Sequence, residues 1–405
     1  MVDFNFTVRA TDDIGAYTER DFSITVENTL VNQFMATTNL GHILTSVDGY
    51  NWVQQNNVYP AIGNNAFGQV INANGFWLVV TGPTTYIRSI DSISWTTHTF
   101  PTNFSFALTG TVYIPISKHL TYGDGKIACL LFDTTTLNAT AFFSTVDGLT
   151  WTKGGNIPHG SGTNNWTSVS NVEYGNGVWL CSRRVTPDFI NSVSEIGFKS
   201  IDGGATWTPI PQPTGNQSSS GVVRYSFMNG LWYAAGYVNG YLLSNDATNW
   251  SYYPYPTTNP SNMMLVNVTY ANGKIFCYSE SKAIYAAANN GGDWLATWQS
   301  VDGLTWSKVT MVMAENSGLY FANQAPTSMS YASYATNSSA SSQAFNYITS
   351  IFHNGLYVMT ARQSVGSGNF NNVLVSPDGV TWTRTNITQS LSIAGVAALR
   401  LDDTV

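Results

Sequence analysis

Apolar and polar residues alternate at the start of the chain. Phe4, Phe6, Val8 and Ala10 take every second place, Asp12-Asp13-Ile14-Gly15 has the chemistry of a turn, and Phe22, Ile24 and Val26 alternate again. A period of two on either side of a turn predicts a β-hairpin over residues 1–29. Two strands bury no core of their own, so this arm is expected to pack on the rest of the chain or on another chain, or to be the remnant of a longer protein. From residue 30 the pattern changes to short apolar runs bounded by two recurring turns. The first turn occurs at Asn74-Gly75, Asp124-Gly125, Asn176-Gly177, Asn229-Gly230, Asn272-Gly273 and Asn354-Gly355. Asn, Asp and Gly tolerate the positive φ that a two-residue hairpin turn requires. Shortly after these turns, at equivalent places, come Val79, Cys129, Cys181, Ala234, Cys277 and Met359.

The second turn follows the form Ser/Thr-x-Asp, then Trp, and has seven copies: Ser46 to Trp52, Ser89 to Trp95, Thr145 to Trp151, Ser200 to Trp207, Ser244 to Trp250, Ser300 to Trp306 and Ser376 to Trp382. The carboxylates of Asp48, Asp91, Asp147, Asp202, Asp246, Asp302 and Asp378 are placed to accept N–H groups of their own turns. Trp52, Trp95, Trp151, Trp207, Trp250, Trp306 and Trp382 then open the next strand with a large apolar surface. Copies spread around a ring cannot converge on one substrate, so the repeat reads as a structural staple and not as acid chemistry or a metal site.

Each unit therefore runs strand, Asn-Gly turn, strand, loop, strand, Asp turn, strand, which is one propeller blade. The copy at Asp48 lacks the first turn. The Gly75-to-Asp91 spacing, counted back from Asp48, lands on Asn32 and puts Phe34 on the aromatic position and Ala36 on the small one. This blade is short of its first strand, while Val396-Ala-Ala-Leu-Arg-Leu401 is an apolar run without a blade. The expectation is an all-β fold: a seven-bladed β-propeller over residues 30–405, closed by pairing of N- and C-terminal strands, which removes an exposed sheet edge.

At the Asp turns the chain resembles the Asp-box, or BNR, repeat of sialidases and related β-propellers. The copy from Ser200 to Trp207 carries the full pattern, the other six are one residue shorter, and Asp91 and Asp246 lack the following Gly. In that family the box is a turn away from the active site, so the resemblance implies a fold and not an activity. The hairpin is similar to the last two strands of cadherin-like or immunoglobulin-like domains.

Composition narrows the function. Only 10% of residues are charged, 14% are aromatic and the net charge is −7. No basic run suits nucleic acid, and no apolar run is long enough for a membrane helix. No basic-then-apolar leader opens the chain, and the three cysteines occupy equivalent small packing positions in different repeats, too far apart in a ring for disulfides or a metal site. His42, His98, His119, His159 and His353 are scattered, and no cofactor or metal is expected. Length variation falls on the connections opposite the two short turns, longest within a blade from Gly273 to Asp302 and between blades from Trp306 to Gly355. There Trp166, Tyr253, Tyr255, Trp294, Trp298, Tyr320, Tyr331 and Tyr334 are candidate ligand-binding residues amid small polar neighbours. The sialidase resemblance would ask for three arginines and a Tyr–Glu pair. Arg183, Arg184, Arg224 and Arg362, with Glu195, Glu280, Asp188 and Asp293, are the available charges, and none sits in a family motif. The expectation is a non-enzymatic bacteriophage virion protein, made in the host cytoplasm and acting outside it. It would bind a host-surface glycan or a neighbouring virion protein, and self-association through residues 1–29 is a further option. A glycosidase or other polysaccharide-degrading enzyme is the alternative.

Overall fold

The computed structural model describes residues 2–26, 33–38, 40–55, 69–105, 120–133, 139–157, 168–184, 195–213, 222–236, 240–254, 263–281, 297–309, 312–313, 350–365, 368–385, 387 and 393–399. The chain divides into two compact units, Met1–Asn32 and Gln33–Val405. The first is the expected hairpin. Strands Val2–Thr11 and Tyr17–Val26 pair antiparallel without a bulge, from Val2 opposite Val26 to Thr11 opposite Tyr17. The Asp12 carboxylate takes the N–H groups of Ile14 and Ala16 and so fixes the turn. Alternation gives the ribbon two faces: Phe6 stacks on Phe22 with centroids 5.6 Å apart, while Thr7 bonds Asp21 and Arg9 pairs with Glu19.

The second unit is a seven-bladed β-propeller. In order from inside to outside, blade 1 is Ile393–Ala398, Phe34–Thr38, Ile43–Ser46 and Val53–Gln54. Blade 2 is Val70–Ala73, Phe76–Val80, Thr85–Ser89 and Thr96–Thr99. Blade 3 is Leu120–Gly123, Lys126–Asp133, Ala139–Ser144 and Trp151–Asn156. Blade 4 is Ser168–Gly175, Val178–Arg184, Glu195–Ser200 and Thr208–Pro211. Blade 5 is Val222–Met228, Leu231–Gly236, Gly240–Ser244 and Ser251–Pro254. Blade 6 is Met263–Ala271, Lys274–Ser281, Thr297–Ser300 and Ser307–Val309. Blade 7 is Ser350–His353, Leu356–Val365, Gly368–Ser376 and Thr381–Arg384. The first strand of each blade touches that of the next all the way round, so the first strands form the inner wall and the ring is closed.

Local sequence explains each blade. Both residues of each turn between the first and second strands take positive φ, as at Asn74 (47°) and Gly75 (74°). Second and third strands are buried on both faces by neighbouring blades, as in Phe76–Val80 and Gly240–Ser244, whereas the outer strands Val53–Gln54 and Thr96–Thr99 are mostly exposed. The core is thus a set of apolar layers between blades, for example Phe143, Trp179 and Phe198 between blades 3 and 4.

Closure follows the expected pairing. Phe34 lies opposite Ala398 and Ala36 opposite Val396. Phe34 also lies opposite Ser46, the register of Trp77 with Ser89 and Trp232 with Ser244. The closing strand begins three residues earlier than the apolar run suggested, at Ile393, because Ile393 and Val396 both enter the core between blades 7 and 1. Two blades exceed four strands. Phe104–Ser105 pairs with the end of Lys126–Asp133 that Leu120–Gly123 leaves uncovered, and Val312–Met313 lies parallel to the outer strand of blade 7.

Candidate functional site

The Asp turns do the same work in every blade. The turn Ser or Thr hydroxyl donates to the Asp Oδ1 at 2.5–3.0 Å in all seven copies. The same carboxylates accept backbone N–H groups further along the turn, for example Thr248 and Asn249 on Asp246 and Leu304 and Thr305 on Asp302. The Thr305 and Leu304 amides and the Ser300 hydroxyl hold Asp302 down to about 2. The Asn249 and Thr248 amides hold Asp246 lower still, so both carboxylates are anionic at any physiological pH.

Neighbouring turns lock the blades together. Tyr86 of blade 2 donates to the Gly148 carbonyl of blade 3, and Tyr241 of blade 5 donates to that of Gly303 in blade 6. Gly379 comes so close to Phe276 of blade 6 that an added Cβ would lie 2.8 Å from its ring.

Of the eight candidate ligand-binding residues, Trp166, Tyr255, Trp294, Tyr320, Tyr331 and Tyr334 lie outside the described residues. Trp298 is a correction. It is not on a loop but in the third strand of blade 6, 7% exposed, opposite Cys277. Phe142 opposite Cys129 and Phe198 opposite Cys181 hold the same register, so Trp298 fills a core place that every blade gives to a large apolar residue. Tyr253 is a second correction: it is not on a loop but on the outer strand of blade 5, where pairing sets it opposite Tyr241 and its ring stacks on that residue.

Tyr253 contributes to a cleft of about 410 Å³ between the Asp turns of blades 5 and 6. Leu231, Leu243 and Leu304 supply further apolar wall, and Asp246, Asp302, Asn245 and Asn249 supply the polar rim. Among the described residues no Lys or Arg lines it. Sequence reasoning assigned Asp246 and Asp302 to turns but did not bring them to one cavity. The side chains of Arg183, Arg184, Arg362 and Glu280, and the whole of Asp188 and Asp293, lie outside the described residues. Arg224 is on the inner strand of blade 5, where burial pulls its guanidinium below the ordinary value and the nearby Glu173 of blade 4 opposes that. Cys129 and Cys181 are free and buried. Among the described residues no group of three or more His, Cys, Asp or Glu is arranged to hold a metal, and no helix is long and apolar enough to cross a membrane.

The class this geometry defines is the seven-bladed β-propeller. No protein-family model matches the chain, and no curated protein sequence does. Solved structures similar to it are themselves distant in sequence. A chain of a mitotic checkpoint complex is 11% identical, with 93% of this chain and 90% of that one covered and a TM-score of 0.47. YCF48 bound to D1 peptide is 11% identical, with 78% and 81% covered and a TM-score of 0.43. The β-propeller domain of the Trilobed protease from Pyrococcus furiosus is 6% identical, with 76% and 81% covered and a TM-score of 0.40.

Proposed function

We propose that this chain is a non-enzymatic structural or adhesion component of a bacteriophage particle, in a tail, fibre or decoration. Its long interblade and mid-blade connections would bind a host-surface glycan or a neighbouring virion protein. The observation that supports this reading is the use made of the repeated carboxylates. All seven accept their own Ser or Thr hydroxyl and backbone amides of their own turns, so the chain's most regular chemistry is spent on rigidity. A closed ring stiffened this way leaves length variation to the connections on the opposite rim, the usual place for recognition. The likeness of the turns to the Asp-box of sialidase-like propellers supports the same division, since that box stands away from chemistry. The exposed hairpin, with its stacked Phe6 and Phe22, suits attachment to another β-rich subunit.

The test is incubation of the purified protein with a broad panel of surface glycans, following both retention and, by mass spectrometry, any shortened product. Retention without shortening is expected. Shortened products would establish the glycosidase alternative instead, and absence of both would move the binding partner from sugar to protein.

A further inference from the structure

Two of the blade junctions are built alike, and their difference is informative. At junctions 2–3 and 5–6, Tyr86 and Tyr241 each stand three residues before the turn serine. They donate to Gly148 and Gly303 at 3.1 and 2.9 Å. Trp151 and Trp306 donate their indole N–H to these two phenols at 3.1 and 2.8 Å. His98 and Tyr253 stack on the same phenols, with centroids 5.4 and 5.7 Å away.

Beyond the exchange of His98 for Tyr253, two differences bear on charge and space. The residue after the Asn-Gly turn is Phe76 in one and Leu231 in the other, and the residue before the turn serine is Arg88 in one and Leu243 in the other. At junction 2–3 the Arg88 guanidinium lies 4.5 Å from the Phe76 centroid, and its Nε donates to the Asp147 carbonyl at 2.7 Å. Junction 4–5 uses the same device: Lys199, also just before its turn serine, donates to Thr248 Oγ1 at 2.6 Å. Junction 5–6 has Leu243 at that place, as uncharged as Thr45, Gln299 and Val375 in other repeats, but it alone of these shares the Tyr–Trp arrangement of junction 2–3, and the cleft opens beside it.

We propose that this cleft is a socket for an arginine side chain carried by a partner protein. The guanidinium takes the place that Arg88 takes at junction 2–3, with its alkyl stem along Leu231 and Leu243. The charge favours this occupant. Asp246 and Asp302 stay anionic, and among the described residues no base lining the cleft offsets them. A sugar is less suited, because Asp246 already accepts four hydrogen bonds, from Ser244, Thr248, Asn249 N and Asn249 Nδ2. Its power to sort hydroxyls is spent while its charge remains. Tyr253 adds an aromatic face, which a planar guanidinium uses better than an ammonium. The socket lies on the rim of the short turns; of the residues in the glycan reading it takes only Tyr253, and the connections of the opposite rim form no part of it.

The experiment titrates the full chain with the peptide Gly-Gly-Arg-Gly-Gly and with its uncharged citrulline counterpart, following the amide resonances of Asn249 and Leu304. Saturable shifts with the arginine peptide are expected, at least tenfold weaker with citrulline, and weakening as salt rises from about 50 to about 500 mM. Leu243→Arg restores the internal cation and should abolish binding. Should that variant fail to fold, Leu304→Lys, at a position 49% exposed, places a cation at the same mouth and serves the same purpose. Absence of saturable shifts, equal affinity for citrulline, or wild-type affinity in the folded variant would overturn the proposal.

Discussion

Removing residues 393–405 tests whether the ring depends on its closing strand. Ile393, Val396 and Ala397 are 4%, 5% and 9% exposed. Full burial of an Ile or Val side chain contributes about 1.5–3 kcal/mol and of a methyl about 0.8 kcal/mol, so the strand's own apolar burial amounts to about 4–7 kcal/mol. An extended-chain reference inflates such sums, by about 10–40%. The loss does not end with the strand. Phe34, Met35 and Ala36, all buried, would line a new open edge, and the ladder from Phe34–Ala398 to Thr38–Ile393 would be gone. Total stability of a folded domain is about 5–15 kcal/mol, so the truncated ring should be unfolded or aggregated at room temperature. Tryptophan fluorescence during heating and light scattering after gel filtration report both outcomes. A synthetic peptide covering residues 387–401 should partly restore the transition. A monomeric truncated protein with an unchanged melting temperature would refute the closure argument.

Glycine substitutions separate backbone strain from close approach. Gly230→Ala (φ 75°, open space around the added Cβ) should cost about 1–2 kcal/mol for the left-handed conformation alone, and Gly379→Ala (φ 74°, 2.8 Å from Phe276) measurably more, read as denaturant midpoints. The Asp turns predict an acid limit. Asp302, held to about 2 by the Thr305 and Leu304 amides, has a folded value below its unfolded one of about 3.9. Its contribution is therefore complete above pH of about 4 and is lost as pH falls towards 2, and Asp302→Asn should flatten that limb of the stability curve. Burial pushes the Cys129 and Cys181 thiols well up, so neither should react with a thiol reagent until denaturant unfolds the ring.

The ring was legible because the spacing is a geometric quantity. Counting back from Asp48 put Phe34 on the recurring aromatic position, and pairing sets it opposite Ser46 as Trp77 is set opposite Ser89. The end of the closing strand was less legible: Ile393 precedes the continuous apolar run, and only the neighbouring blades show that it is buried. Trp298 was misplaced by the length of the connection before it, although its position two residues before Ser300 matches Leu44, Ile87, Phe198 and Leu242 before their own turn serines. The cleft was legible in part. The position before the turn serine is a cation only at Arg88 and Lys199, so Leu243 does not stand out in the sequence, and the cleft beside it depends on which two turns become neighbours.

Variation among the seven turns carries a cost that can be read at the indoles. In the shorter turns where Gly follows Asp, the carbonyls of Gly49, Gly303 and Gly379 accept the N–H of Trp52, Trp306 and Trp382, while Trp151, after Gly148, donates to Tyr86. Ser92 and Ala247 stand in the glycine's place and still take positive φ, 62° and 57°. There the indoles of Trp95 and Trp250 are buried with no acceptor, and the longer turn at Asp202 leaves Trp207 the same way. A buried donor left unpaired costs about 1–3 kcal/mol, so these three blades are held by packing where the others also have a hydrogen bond. Restoring glycine at position 247 brings no clear gain. Relief of the left-handed strain, about 1–2 kcal/mol, is offset by the loss of a fully buried methyl and by a more flexible unfolded chain. The departures persist because each has its own local balance. A ring that shares its core among seven junctions tolerates three imperfect staples, and it also tolerates one junction that keeps a cleft where two others carry a cation.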